Sequence, residues 1–84
     1  DKAREAFNNY QAAVATGSLP YIRTTLLQLV AIDDSNPQYW QDLGRVQLQL
    51  QAYNDAYYAL TRAYELDRSN ADVLRILTQL ALRS

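Results

Sequence analysis

Ile32-Asp33-Asp34-Ser35-Asn36-Pro37 returns 34 residues later as Leu66-Asp67-Arg68-Ser69-Asn70-Ala71. Apolar positions around it move by the same interval: Leu26 onto Leu60, Leu29 onto Ala63, Trp40 onto Leu74, Leu43 onto Leu77. A fixed period of about 20–50 residues marks a solenoid, in which each repeat buries its apolar face on its neighbours. The repeated stretch is itself a turn followed by a cap, because Asp, Ser and Asn side chains bond nearby backbone amides.

Working outward from the two turns, the chain reads as five helices. The first, about 2–16, carries Ala3, Ala6, Phe7, Tyr10, Ala13 and Val14 at three-to-four spacing, and Gly17 ends it. Ser18 caps the second, about 20–32, whose Ile22, Leu26, Leu29, Val30 and Ile32 are expected to face inward. Its adjacent Thr24 and Thr25 are mediocre helix formers, so packing must carry it. Asn36 caps the third, from Pro37 to about Leu50, with Trp40, Leu43, Gly44 and Gln47 on one stripe. The fourth, about 53–66, carries Tyr53, Ala56, Tyr57, Leu60, Ala63 and Tyr64; the last, about 71–83, is apolar nearly all round. No period-two alternation bounded by turn residues signals a strand.

Composition narrows the function. Eight basic and nine acidic side chains leave a net charge of −1, with no basic block for nucleic acid. No apolar run approaches the roughly 20 residues of a membrane span. Cys and His are absent, which removes disulfides, thiol nucleophiles, imidazole bases and the usual zinc sites. Asp33, Asp34 and Asp67 lie in turns with capping roles, and Gly17 and Gly44 form no phosphate loop. The chain is therefore expected to be no enzyme and to need no cofactor or metal. It does not begin with Met and is expected to be a piece of a longer protein. Lack of Cys suits cytoplasm and periplasm equally, so the compartment stays unknown.

Residues 37–70 resemble a tetratricopeptide repeat. That family pairs two antiparallel helices in 34 residues, with the pattern Trp-x2-Leu-Gly-x2-Tyr, then Ala, Phe, Ala and Pro. Trp40, Leu43 and Gly44 match its first helix; Ala56 and Ala63 match the small positions of its second, with Leu60 for the aromatic. Gln47 stands where Tyr is expected and Arg68 where Pro is expected. Residues 3–36 fit the pattern less well, and 71–83 look like the first helix of a further repeat. The resemblance implies an all-α fold: antiparallel helix-turn-helix repeats stacked as a right-handed α-solenoid, a single domain over 1–84.

It also implies a use. In the family the first helix of each repeat lines a concave groove that holds peptides, which makes this chain a protein-protein interaction scaffold, of bacterial type. The matching groove positions are Gln38, Gln41, Arg45, Leu48 and Gln49, then Asp72, Arg75, Gln79, Leu82 and Arg83, with Arg4, Phe7, Gln11 and Val14 added by the first helix. Gln both donates and accepts, which suits a peptide backbone, and Arg can grip a carboxylate in bidentate fashion. Members that clamp acidic chaperone tails carry Lys, Asn and Arg where this chain has Phe7, Gln11, Asp42, Asp72 and Ile76, so no such clamp is expected.

The alternative function is structural self-association. The last helix has one apolar stripe of Leu74, Leu77 and Ala81 and another of Val73, Ile76 and Leu80. Val73, Ile76 and Leu80 are expected to contact a second copy, as a homodimer, or a following repeat. The Tyr53, Tyr57 and Tyr64 stripe reads as inter-helix packing or as an aromatic contact face, while Tyr39 and Tyr58 lie outside it.

Overall fold

The computed structural model describes residues 1–83. It contains α1 (Lys2–Thr16), α2 (Leu19–Ile32), α3 (Pro37–Gln49), α4 (Tyr53–Leu66) and α5 (Ala71–Arg83), with no strand among the described residues. The expected helices are all present; α2 starts one residue earlier, at Leu19, and α3 ends one earlier, at Gln49. Each helix packs on the next along the chain, and the short connections make the neighbours antiparallel. None of the described helices is long and apolar enough to cross a membrane.

The repeated turn repeats in three dimensions. Asp33 Oδ1 accepts from the Ser35 amide (3.2 Å) and hydroxyl (3.0 Å). Asp67 Oδ1 accepts from the Ser69 amide (3.1 Å) and hydroxyl (2.6 Å). These bonds hold the exposed Asp67 carboxyl below the usual carboxylate range. Both aspartates end their helices in extended backbone, their amides donating to Leu29 and Ala63 carbonyls. Asn36 Oδ1 then caps Gln38 at 2.9 Å, and Asn70 Oδ1 caps Val73 at 3.1 Å. The turn after α3 is built differently. The Gln51 amide bonds Leu48 O and the Ala52 amide bonds Gln47 O, a Schellman closure that puts Gln51 at φ 62°.

The closest packing lies between α3 and α4. A Cβ added at Gly44 would sit 2.5 Å from Leu60 Cγ. Glycine therefore lets the two helices approach until Leu60 is fully buried, with Ala56, Ala59 and Ala63 buried beside it. Burying a leucine side chain of this kind contributes about 1.5–3 kcal/mol. Trp40 fills the space next to this seam, and its indole N–H donates to Asp34 O at 2.8 Å, tying α3 to the turn before it.

One inward assignment fails at a helix end. Ile32 is 46 % exposed: it is the last residue of α2 and borders a shallow recess beside Lys2 and Glu5. On α1 only Ala6 and Ala13 are buried, whereas Phe7 and Val14 are exposed, because α1 packs chiefly on α2.

Replacing Gly44 tests the seam. Alanine is the better helix former by about 1 kcal/mol, yet its methyl would overlap the branch point of a buried leucine. Gly44→Ala is expected to lower stability by about 1–3 kcal/mol in urea unfolding; an unchanged or raised midpoint would show that α3 and α4 are not held this closely.

Candidate functional site

The polar face expected of α3 is on the surface. Gln38, Arg45 and Gln49 are exposed, at a spacing that keeps them opposite the buried Leu43, Gly44 and Gln47. Leu48 is half-buried at its edge. Arg45 has no ion-pair partner among the described residues.

Other members of the set are engaged. Gln41 is half-buried, and its Oε1 accepts from Asn70 Nδ2 at 3.0 Å, joining α3 to the cap of α5. Gln38 Nε2 donates to Asp42 Oδ1 at 2.8 Å, and the Tyr10 hydroxyl donates to Asp42 Oδ2 at 3.2 Å, joining α1 to α3. Arg75 pairs with Asp72 at 3.4 Å, an exposed pair of little energetic weight. Arg83 lies 4.5 Å above the Tyr53 ring, so this guanidinium reaches back to α4 as a cation–π contact. Gln79 is exposed. The side chains thus link α1, α3 and α5 by specific hydrogen bonds, while leaving Arg45 and the Gln49 amide exposed.

The last helix reverses the expectation for its stripes. Val73 is completely buried, and Ile76 and Leu80 are half-buried on the core, so this stripe faces the core of the same chain. Leu74 is 45 % exposed, and Thr78 and Ala81 are exposed with it. The reason lies in the period: Leu74, Thr78 and Ala81 correspond to Trp40, Gly44 and Gln47 on the stripe of α3 against which α4 packs, closest at Gly44 through Leu60. No described helix covers α5 in this way.

The tyrosines divide as well. Tyr53 and Tyr57 are exposed, whereas Tyr64 and Tyr39 pack against the core. Tyr58 is 62 % exposed yet stands edge-on to Trp40, with ring centroids 5.9 Å apart. Together with Leu27, 47 % exposed on α2, it flanks a cleft floored by Trp40 and Gln47. Sequence reasoning did not find this site. Its signal was present as Gln47, an amide on an apolar stripe where the resemblance expects tyrosine.

Among the described residues no three His, Cys, Asp or Glu side chains converge where a metal ion could be held. No family model matches the chain, and no curated protein matches it in sequence.

The Tyr10–Asp42 link carries a pH dependence. Burial first, and the Asp42 carboxylate second, push the Tyr10 phenol up to about 12. The folded chain holds this proton more tightly than the unfolded chain, whose tyrosine titrates near pH ~10. The associated stability is complete below pH ~10 and is lost as pH rises toward 12. Urea unfolding across that range should fall more steeply for the native chain than for Tyr10→Phe; equal slopes would assign the alkaline loss to other groups.

Proposed function

We propose that the chain is a tetratricopeptide-like helical-repeat module, non-catalytic, that binds a protein or peptide segment on the polar face of α1, α3 and α5. The observation that carries this reading is the exposed Arg45, without an ion-pair partner among the described residues, between the Gln38 and Gln49 side chains on a helix whose opposite face is fixed by packing. A guanidinium, the Gln49 amide and the Gln38 carbonyl oxygen on a rigid helix offer donors and acceptors to a peptide backbone and one strong site for a carboxylate. Exposed Phe7 and Val14 on α1 supply apolar contacts alongside. The repeat character is supported by the recurrence of the Asp-x-Ser-Asn turn with the same hydrogen bonds, and by the glycine-mediated approach of α3 and α4.

Random-peptide display against the chain, followed by anisotropy titration of the recovered sequences, tests the proposal. The expected ligands carry a carboxylate, and Arg45→Ala weakens them at least tenfold, since a hydrogen bond to a charged group is worth about 1.5–3 kcal/mol. Ligands indifferent to Arg45 would remove this face from the reading.

A second reading, self-association through α5, is favoured by its exposed stripe of Leu74, Thr78 and Ala81. The Thr78 hydroxyl already donates to Leu74 O at 2.9 Å, so burying it leaves no donor unpaired. In this reading sedimentation over a concentration series shows a dimer that Leu74→Glu dissociates. A monomer at the highest concentration would end it.

A further inference from the structure

The cleft over Trp40 arises because α2 and α4 both pack on α3 without packing appreciably on each other. Its volume is about 510 Å³, within the range of roughly 300–1,000 Å³ usual for ligand sites. It runs on into a second recess of about 430 Å³ that shares Leu27, Val30, Trp40 and Tyr58. One part is apolar and firmly held. The Trp40 ring is fixed by its bond to Asp34 O, by Tyr58 at its edge, and by Arg62, whose guanidinium lies 5.7 Å from the ring centroid.

The other part is polar. Gln47 is only 5 % exposed, and its Oε1 has no hydrogen-bond partner among the described residues. A buried amide oxygen left unpaired costs about 1–3 kcal/mol, and buried polar groups in native structures are nearly always hydrogen-bonded. Arg23 on α2 and Asp55 in the first turn of α4 also line this part, and neither has an ion-pair partner among the described residues. Opposite charges around an unpaired amide favour a neutral group with its own donor and acceptor over an ion of either sign. A peptide bond is such a group.

We propose that this cleft is a second peptide-binding site, on the α2–α4 side of the molecule. It takes a segment that presents one bulky aliphatic or aromatic side chain next to an uncharged main-chain amide. The side chain lies against Trp40 between Leu27 and Tyr58, and the amide pairs with Gln47, between Arg23 and Asp55. The site uses none of the residues assigned to the polar face, so either can fail without the other.

Trp40 is the only tryptophan in the chain, so its fluorescence reports directly on this cleft. The probes are acetyl-Ala-Leu-Ala-amide and acetyl-Ala-Phe-Ala-amide, with acetyl-Ala-Ala-Ala-amide as the control. The expected result is a saturable change in Trp40 emission with the first two, about fivefold weaker with the third, reflecting the loss of buried methylenes. Leu27→Asn, at an exposed position that leaves the core intact, should weaken binding by a similar factor. Gln47→Leu should raise the unfolding midpoint, because it removes an unpaired buried amide, and should weaken the leucine peptide about fivefold or more. Arg45→Ala should change nothing. The proposal is overturned if no saturable change is seen with the leucine or phenylalanine peptide. It is equally overturned if binding persists unaltered in Leu27→Asn and Gln47→Leu, or is lost in Arg45→Ala, which would place the peptide on the polar face.

Discussion

Leu60 seated on Gly44 is the contact from which the rest of the packing follows. It brings α3 and α4 closer than any residue with a Cβ would permit, and the alanines at 56, 59 and 63 keep the seam narrow along its length. With α4 fixed on one flank of α3, α2 takes another, and Leu26, Leu29 and Val30 are buried there. A core of this size gains much from each fully buried side chain, since a chain of 84 residues has a large surface for its volume. Trp40 adds both volume and a directed bond, and so couples the inter-helix packing to the geometry of the preceding turn.

The same arrangement opens the cleft. Two helices held on a common third helix leave a furrow between them wherever their side chains do not meet, and here its floor is Trp40 and Gln47. A tyrosine at 47 would bring more apolar volume to the floor than the amide does. Glutamine leaves an unsatisfied oxygen instead, a local conflict with the otherwise consistent core pattern. Conflicts of this kind concentrate where a protein binds something, because stability is given up there for a function.

Polar bonds set the relation between helices that share little apolar contact. Tyr10 and Gln38 meet on Asp42, and Asn70 reaches Gln41, so α1 and α5 are each tied to α3 by named hydrogen bonds. These bonds engage part of the expected groove set within the fold and leave Arg45 and Gln49 exposed on α3. Arg83, turned onto Tyr53, is likewise committed to the fold.

What the sequence determined by itself is local. The helix ends were legible to within one residue because capping is a matter of neighbours: Ser18, Asn36 and Asn70 bond amides two or three residues on, and Asp33 and Asp67 close identical turns. The stripe of Trp40, Leu43, Gly44 and Gln47 was legible too, because polar residues on the other side of α3 leave one choice of inward face. Tertiary structure decided the remainder. Helix α5 carries two adjacent apolar stripes beside its polar face, and spacing along one helix did not say which stripe the core would take; contact with the core buried Val73 and left Leu74 outside. Ile32 fits the inward period of α2 yet is left exposed as the last residue of that helix. The cleft over Trp40 has residues from α2, α3 and α4, and no spacing along one helix encodes a gap between two others.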